Sequence, residues 1–463
     1  MTNWIPKRES LERPLHIGIA SSMKEAISDG RLAVDERLPP HRTLADTLGV
    51  SVHTVSKAYD ELMRQGLVGS HVGRGTFVLD TTQPSRQPFL MERTDQGLID
   101  LSIARPLYDR FHVDKMQAAL TELPIDLDPD VYLACRPNVG LQAHRQSGVR
   151  WLSQCGLEVA ENSVVMTNGV CHGMSIALAS IARHGDVVVT DKIAHHLIIS
   201  LCSYLGLRLQ GLDMDEEGVL PEAFESACKH HDVKVFFTIP TLANPAASLM
   251  SEERREQLAA IARQYDVLII EDDVLGPMPE KRPRPISAFA PERSIYLTSF
   301  TKCVIPGLRT GYLVAPDFLL PAITGRLIAF SWMATPLVSE LASRWVEDGT
   351  ANELALWQRE KIADRYAIAQ EELAGLDWRG HPAALHLWLT LPDEWNARSM
   401  VEHAKALGVA IAPPEPFMTA QCEPLNAVRI SVGSVSNPVR YRQGLGLIRD
   451  LLKRSPEPLP QVL

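Results

Sequence analysis

The sequence predicts an α/β protein: a large domain built on a mainly parallel sheet and divided into a large and a small subdomain, preceded by a compact three-helix module with a two-stranded wing. Three observations carry this. Beyond residue 98, short apolar runs bounded by turns alternate with helix-like segments. Before residue 80, apolar residues recur at helical spacing in three stretches punctuated by glycine and proline. Between the two lies a polar stretch containing Pro84-Ser85-Arg86-Gln87-Pro88, which reads as a linker. The expected boundaries are 1–79 for the module, 80–97 for the linker and 98–463 for the large domain, with its small subdomain from about 350 to 463.

Length and composition agree with several globular domains. At 463 residues the chain exceeds the ~100–200 residues of one domain. With 45% hydrophobic and 22% charged residues, general disorder, collagen and a coiled-coil rod are excluded. No apolar run approaches the ~18 residues that span a bilayer, so no membrane partner is expected. The start, Met1-Thr2-Asn3-Trp4-Ile5-Pro6, has no signal-peptide core. The 7 cysteines are scattered and form no CxxC pair, which points to a reducing, cytoplasmic setting and away from a metal knuckle. The formal net charge of −10 is uneven: residues 1–79 carry 10 Lys/Arg and 9 Asp/Glu, leaving 36 against 47 for the rest of the chain. A near-neutral module can still present a local basic face.

In the module, Leu15, Ile19, Met23 and Ile27 keep helical spacing up to Gly30. A second helix follows Pro39-Pro40, turns Leu44, Ala45 and Leu48 inward and stops at Gly49. Ser51 caps a third, which holds Val52, Val55, Tyr59, Leu62 and Met63 and ends at Gly66. Leu67-Val68, a turn at Gly73-Arg74-Gly75 and Thr76-Phe77-Val78 make the wing. This is a helix-turn-helix layout, whose third helix fits the major groove of double-stranded DNA with its first residues at the base edges. Those residues are Ser51, His53, Thr54 and Lys57, with Arg42 beside the backbone and Arg74 of the wing within reach of phosphate. The plainer alternative is a helical interaction module with solvated charges. The stretches Leu38-Pro39-Pro40-His41-Arg42-Thr43-Leu44-Ala45, Leu48-Gly49-Val50-Ser51, Thr54-Val55-Ser56-Lys57-Ala58-Tyr59 and Gly73-Arg74-Gly75-Thr76-Phe77-Val78 resemble the GntR-type winged helix, departing at Val52, where that family often has arginine.

In the large domain the runs Val187–Thr190, Val233–Ile239, Val267–Glu271, Ser294–Ser299 and Tyr312–Val314 read as strands, with an amphipathic helix over Glu252–Tyr265. Ligands in such sheets bind beyond the strand C-termini, and the chemistry-bearing residues sit there. Asn244-Pro245 follows one strand, Glu271-Asp272-Asp273 ends the next, and Ser299-Phe300-Thr301-Lys302 ends another, with Arg309 shortly after. Thr167-Asn168-Gly169 opens a helix after Val164-Val165-Met166. Pyridoxal 5'-phosphate needs a lysine for its aldehyde, a carboxylate for its ring nitrogen, a donor for its phenolic oxygen, and a helix N-terminus with a cation for its phosphate. Lys302, Asp272, Asn244, and the helix after Gly169 with Ser299 and Arg309 supply all four. Taken singly, each also reads as a surface lysine, a cap, a turn or an ion-pair partner.

Residues 98–455 resemble an aminotransferase of the aspartate-aminotransferase fold, through Asn138-Val139-Gly140-Leu141, His144-Arg145, Thr167-Asn168-Gly169, Asn244-Pro245, Glu271-Asp272-Asp273, Ser299-Phe300-Thr301-Lys302, Pro306-Gly307-Leu308-Arg309-Thr310-Gly311-Tyr312 and Val428-Arg429-Ile430-Ser431. A GntR winged helix fused to that fold is the layout of MocR-type regulators. The resemblance implies that Lys302 forms the internal aldimine, that Asp272 pairs with the pyridinium nitrogen and that Asn244 meets the ring hydroxyl. Ser299, Arg309 and the amides near Val170 and Cys171 would hold phosphate. It gives Arg429 the α-carboxylate of an amino-compound effector, against the plainer reading of a strand surface charge. His195 stands where an aromatic ring cover is expected, and either stacks on the cofactor or is a plain loop histidine. Val274 replaces a tyrosine, Ala246-Ala247 replace Thr-Gly, and the tyrosine expected near Gly140 is displaced, with Tyr132 and Cys135 nearby. These departures argue against efficient transamination. Cys303 is expected only to pack. The implied protein is a homodimeric regulator rather than an enzyme, sensing pyridoxal phosphate or its aldimine with an amino compound; the alternative is an active aminotransferase with an autoregulatory DNA-binding module.

Overall fold

The computed structural model describes residues 4–6, 8, 11, 13–33, 36–64, 67–71, 75–78, 97–133, 135–420 and 422–454. The chain divides into two compact units, Met1–Glu92 and Arg93–Leu463. Gly66, Gly73 and Arg74, and the expected linker apart from Gly97, lie outside the described residues.

The first unit contains α1 (Leu15–Ser28), α2 (His41–Leu48), α3 (Val52–Arg64) and a β1 (Val68–His71)–β2 (Gly75–Val78) hairpin. Ile19, Met23, Leu44, Leu48, Val55, Tyr59 and Leu62 are buried together, the repeat of three and four residues that a helix needs to show one face to a core. Gly49 ends α2 in the left-handed region, at φ 61°, where a side chain costs about 1 kcal/mol. Ser51 caps α3: its hydroxyl accepts from the Thr54 amide at 3.1 Å. The buried Tyr59 hydroxyl donates to the Pro39 carbonyl at 2.7 Å, tying α3 to the entry of α2. Val52 is not part of the core; at the first position of α3 it is 43% exposed. The wing also has a third element that the sequence does not signal, because Leu38 and Val78 amides pair with Thr76 and Glu36 carbonyls.

The second unit begins with β3 (Ile99–Asp100), α4 (Arg110–Glu122), α5 (Asp130–Leu133) and α6 (Gln142–Gln154). Strands and helices then alternate: β4 (Val164–Thr167), α7 (Val170–Ile181), β5 (Val187–Asp191), α8 (His196–Tyr204), β6 (Arg208–Leu212), α9 (Pro221–His230), β7 (Val233–Thr238), α10 (Glu252–Gln264), β8 (Leu268–Asp272), α11 (Ile286–Phe289), β9 (Ser294–Ser299) and β10 (Gly311–Val314). The sheet order is β4-β10-β9-β8-β7-β5-β6, with β10 antiparallel to both neighbours and the remaining pairs parallel. Strands β4, β5, β9 and β10 are buried throughout, as expected for strands covered on both faces.

Two helices, α12 (Leu320–Ser331) and α13 (Pro336–Glu347), lead to α14 (Thr350–Glu372) and the small subdomain: β11 (Trp378–Arg379), β12 (His386–Thr390), α15 (Ala397–Ala406), β13 (Val409–Ala410), β14 (Ala427–Ser431) and α16 (Pro438–Leu452). Strands β11, β12 and β14 form an antiparallel sheet, and β13 pairs with β3 in parallel. No helix among the described residues is long and apolar enough to cross a membrane.

Candidate functional site

The topology gathers chemistry at one edge of the large sheet. Parallel strands end together, so the segments leaving β4, β5, β7, β8 and β9 emerge side by side. Strand β10 runs the other way, so the segment entering it, with Arg309, lies at that same edge; Gly311 is opposite both Ser299 and Thr167. Only glycine fits at 311, where a Cβ would lie 2.9 Å from the Thr298 carbonyl and 3.0 Å from the Gly169 Cα.

Lys302 is partly buried, and its ammonium donates to the Ala104 carbonyl. Burial, reinforced by Arg429 and Arg309 and opposed by Cys171 and Asp272, lowers it from 10.5 to about 8. The expected residues Asp272, Arg309, Arg429 and Cys171 thus all act on one amine. Asp272 is 4% exposed. Burial pushes its carboxyl up to about 7, although it accepts from the Val274 amide at 3.3 Å and Lys302 favours its ionised form. Ser299, fully buried, accepts weakly from the Thr301 amide at 3.4 Å. Cys303 packs in the core, its thiol toward the Ser299 carbonyl.

An anion cradle lies beside the amine. Gly169, at φ 83°, caps α7, whose first residues are Val170 and Cys171. A Cβ on Gly169 would approach the Arg309 guanidinium to 3.1 Å; the bare glycine lets this cation sit against the helix N-terminus, where free amides and the helix dipole favour an anion. Arg309 is exposed, open to a ligand from solvent.

Across the cleft, Arg429 projects from β14. It is 3% exposed, so the surface-charge reading fails. Nη1 donates to Asn244 Oδ1 at 2.9 Å and Nη2 to the Ser102 carbonyl. Its guanidinium lies 4.8 Å over the Phe417 ring, and burial lowers it to about 10. His195 caps α8, its Nδ1 accepting from the Leu197 amide at 3.3 Å, and its ring lies 4.3 Å from that of His196. Burial, then His196, Lys302, Arg429 and His386, hold it well below the usual histidine range. It is thus held as a neutral ring at the entry to α8. Tyr132 is 55% exposed, and Cys135 offers its carbonyl to Trp332 Nε1 at 3.0 Å.

Ser102 and Ala104 give no signal in the sequence, because they contribute only backbone carbonyls to the site, and His386 and Phe417 lie in strand and turn contexts without a motif. On the first unit, Arg42, Ser51, His53 and Lys57 are exposed and Thr54 is half-buried, sharing its hydroxyl with Ser51 at 2.8 Å. His53 and Lys57 lie four residues apart, on the side of α3 away from Val55 and Tyr59.

Comparison with known proteins agrees with this anatomy. Residues 17–78 match the family of bacterial regulatory proteins, gntR family, and residues 96–442 match aminotransferase class I and II. The HTH-type transcriptional regulator YdeF of Bacillus subtilis is 28% identical over 452 residues, 97% of each chain. YjiR of Escherichia coli, named likewise, is 23% identical over 95% of this chain and 99% of its own. A Pyrococcus horikoshii kynurenine aminotransferase superposes with a TM-score of 0.71 at 22% identity, over 80% of this chain and 97% of its own, and shares the fold of the second unit. The chain belongs to the aminotransferase class I and II family and carries a gntR-family helix-turn-helix domain ahead of it.

Proposed function

We propose that this protein is a transcriptional regulator of the MocR type: the N-terminal unit binds double-stranded DNA, and the second unit holds pyridoxal 5'-phosphate and senses an amino compound. The relatives that match end to end are named HTH-type transcriptional regulators, and the aminotransferase class I and II family depends on pyridoxal phosphate. The single observation that carries the reading is the convergence on Lys302 of one buried carboxylate, Asp272, and two further cations, Arg309 and Arg429.

The residues present fit the cofactor. The Gly169–Arg309 cradle suits a phosphate, Asp272 suits a protonated ring nitrogen, and Lys302, lowered to about 8, holds roughly a tenth of its amine in the free, nucleophilic form at pH 7, far more than an ordinary lysine. Bound there, the cofactor supplies an electrophilic carbonyl and an electron-withdrawing ring. The chain's own residues orient and discriminate. Ser299 and the amides of Val170 and Cys171 would add phosphate donors, Asn244 would meet the ring hydroxyl, His195 would stack on the ring, and Arg429 would take the carboxylate of the effector. The small subdomain that carries Arg429 would shift on binding and bias the DNA-binding state. On the DNA side, Ser51, His53 and Thr54 would face bases, and Arg42, Lys57 and Arg74 phosphates. A homodimer is expected, and exposed apolar residues such as Ile125 (79%) and Leu133 (73%) fit coverage by a second copy.

The test is borohydride reduction of the protein incubated with pyridoxal phosphate, followed by peptide mass analysis, together with DNA affinity measured with and without candidate amino acids. Label on Lys302 and a DNA affinity that responds to the amino compound are the expected results. No label at Lys302, or labelled protein whose DNA binding ignores every amino compound, refutes the reading. Catalytic turnover is the second reading, favoured by the readily deprotonated Lys302; steady conversion of an amino donor and a keto acid would establish it.

A further inference from the structure

One side of the small-subdomain sheet meets the turn that follows β7 of the large subdomain. In the β12–β14 pair, His386 is opposite Ser431 and Trp388 is opposite Arg429, so these four side chains share a face. Two hydrogen bonds leave that face for adjacent residues of the segment after β7: His386 Nε2 to the Ala243 carbonyl at 3.0 Å, and Arg429 Nη1 to Asn244 Oδ1 at 2.9 Å. A carbonyl only accepts, so Nε2 carries the proton of the imidazole. His386 is 1% exposed, and burial beside Arg429 and Lys302 keeps it neutral.

The turn that His386 holds is strained. Leu242 and Ala247 both sit at φ 57°, the left-handed region that side chains disfavour. Within it, Ala243 N bonds Ser248 O at 2.9 Å and Ala247 N bonds Ala243 O at 2.6 Å, and the Thr241–Leu249 bridge and a Met250 N to Pro240 O bond at 2.9 Å close its base. Such a conformation persists where its surroundings over-determine it. His386 supplies the hold from the other subdomain, one residue from Asn244. Asn244 in turn orients the guanidinium, whose Nε remains buried without a partner.

We propose that His386 is a positioning residue of the ligand site: by gripping Ala243 it delivers Asn244 to Arg429 and fixes the angle at which the guanidinium meets a carboxylate. This rests on the reading of Arg429 as the carboxylate anchor.

The test uses full-length protein loaded with pyridoxal phosphate and titrated with glycine and with methylamine, followed by cofactor absorbance. His386→Phe keeps the ring and removes both nitrogens. His386→Gln carries an amide N–H to the Nε2 position, whereas His386→Asn does not reach Ala243. Glycine binding is expected to weaken about tenfold in the Phe and Asn variants, the scale of one orienting hydrogen bond to a charged group, and to recover in the Gln variant, with methylamine binding unchanged throughout. Equal losses for glycine and methylamine, glycine binding at the wild-type level in all three, or a Gln variant as weak as the Phe variant overturns the proposal while leaving the cofactor reading intact. Wild-type protein that shows no cofactor absorbance sinks both, and glycine binding unchanged by Arg429→Leu sinks the reading of Arg429 on which the proposal rests.

Discussion

Replacing Lys302 with methionine should make the cofactor-free protein more stable at neutral pH, and the gain should shrink in alkali. The ammonium is held in a partly buried cleft beside Arg429 and Arg309, and its proton affinity falls from the ordinary 10.5 to about 8. At ~1.4 kcal/mol for each tenfold change, the charged form costs the fold on the order of 3 kcal/mol. The side chain retains some contact with water, and the charged amine donates to Ala104; losing that bond offsets about 1 kcal/mol. The net expectation for Lys302→Met is a gain of about 2 kcal/mol at pH 7. The sign follows from linkage: a lysine lowered in the fold penalises the native state fully where it is protonated in both states, below about 8; between about 8 and 10.5 the native amine is free while the unfolded one still holds its proton, so the penalty fades with rising pH and is gone once the unfolded chain is deprotonated too. The gain should thus contract by about 2 kcal/mol between pH 7 and pH 10. Urea unfolding at both pH values measures it through tryptophan fluorescence, since every tryptophan except Trp4 lies in the second unit. A variant less stable than wild type at pH 7, or a difference that does not change with pH, refutes the argument that the site holds its amine under electrostatic stress.

Other expectations test separate parts of the chain. Tyr59→Phe removes the buried bond to the Pro39 carbonyl and should lower the stability of the N-terminal unit by about 1 kcal/mol in thermal melts; an unchanged transition would contradict its tie between α2 and α3. Lys57→Ala should weaken DNA binding and reduce the salt slope by about one if its exposed ammonium meets phosphate, which titrations across salt concentration decide. Asp273→Asn should cost about 3–5 kcal/mol in urea unfolding, because Arg282 would be left charged and buried beside a Tyr296 hydroxyl that now bonds Asp273 at 2.6 Å; a loss below about 1 kcal/mol would show the pair to be dispensable.

What was legible in the sequence follows from how sheets are buried. Runs such as Val187–Thr190 and Ser294–Ser299 are apolar on both faces, so they stand out from the polar turns around them, and the reactive residues sit where those runs stop. The direction of β10 was not legible, because Tyr312-Leu313-Val314 reads the same in either orientation. Yet that reversal is what brings Arg309 to the edge occupied by Gly169. The third element of the wing was equally hidden: Glu36–Leu38 pairs through backbone atoms, and its side chains carry no alternation.

One half of the site stayed hidden because it is made of backbone atoms. Lys302, Asp272, Asn244 and Arg429 announce themselves through side-chain chemistry, but two of the contacts that hold them end on the backbone of Leu101–Arg105, a segment with no turn or strand signal of its own. Strand β3 precedes it and pairs with β13 of the small subdomain, so that segment is carried by the part of the fold that also carries Arg429. The Ala104 carbonyl meets the amine and the Ser102 carbonyl meets the guanidinium. A carbonyl is the same at every residue, so sequence alone cannot say which one will face a buried cation. It follows that a motion of the small subdomain would keep the Ser102 carbonyl with Arg429 while shifting the Ala104 carbonyl from Lys302 and the guanidinium from Asn244, without any side chain of the large subdomain having to move first.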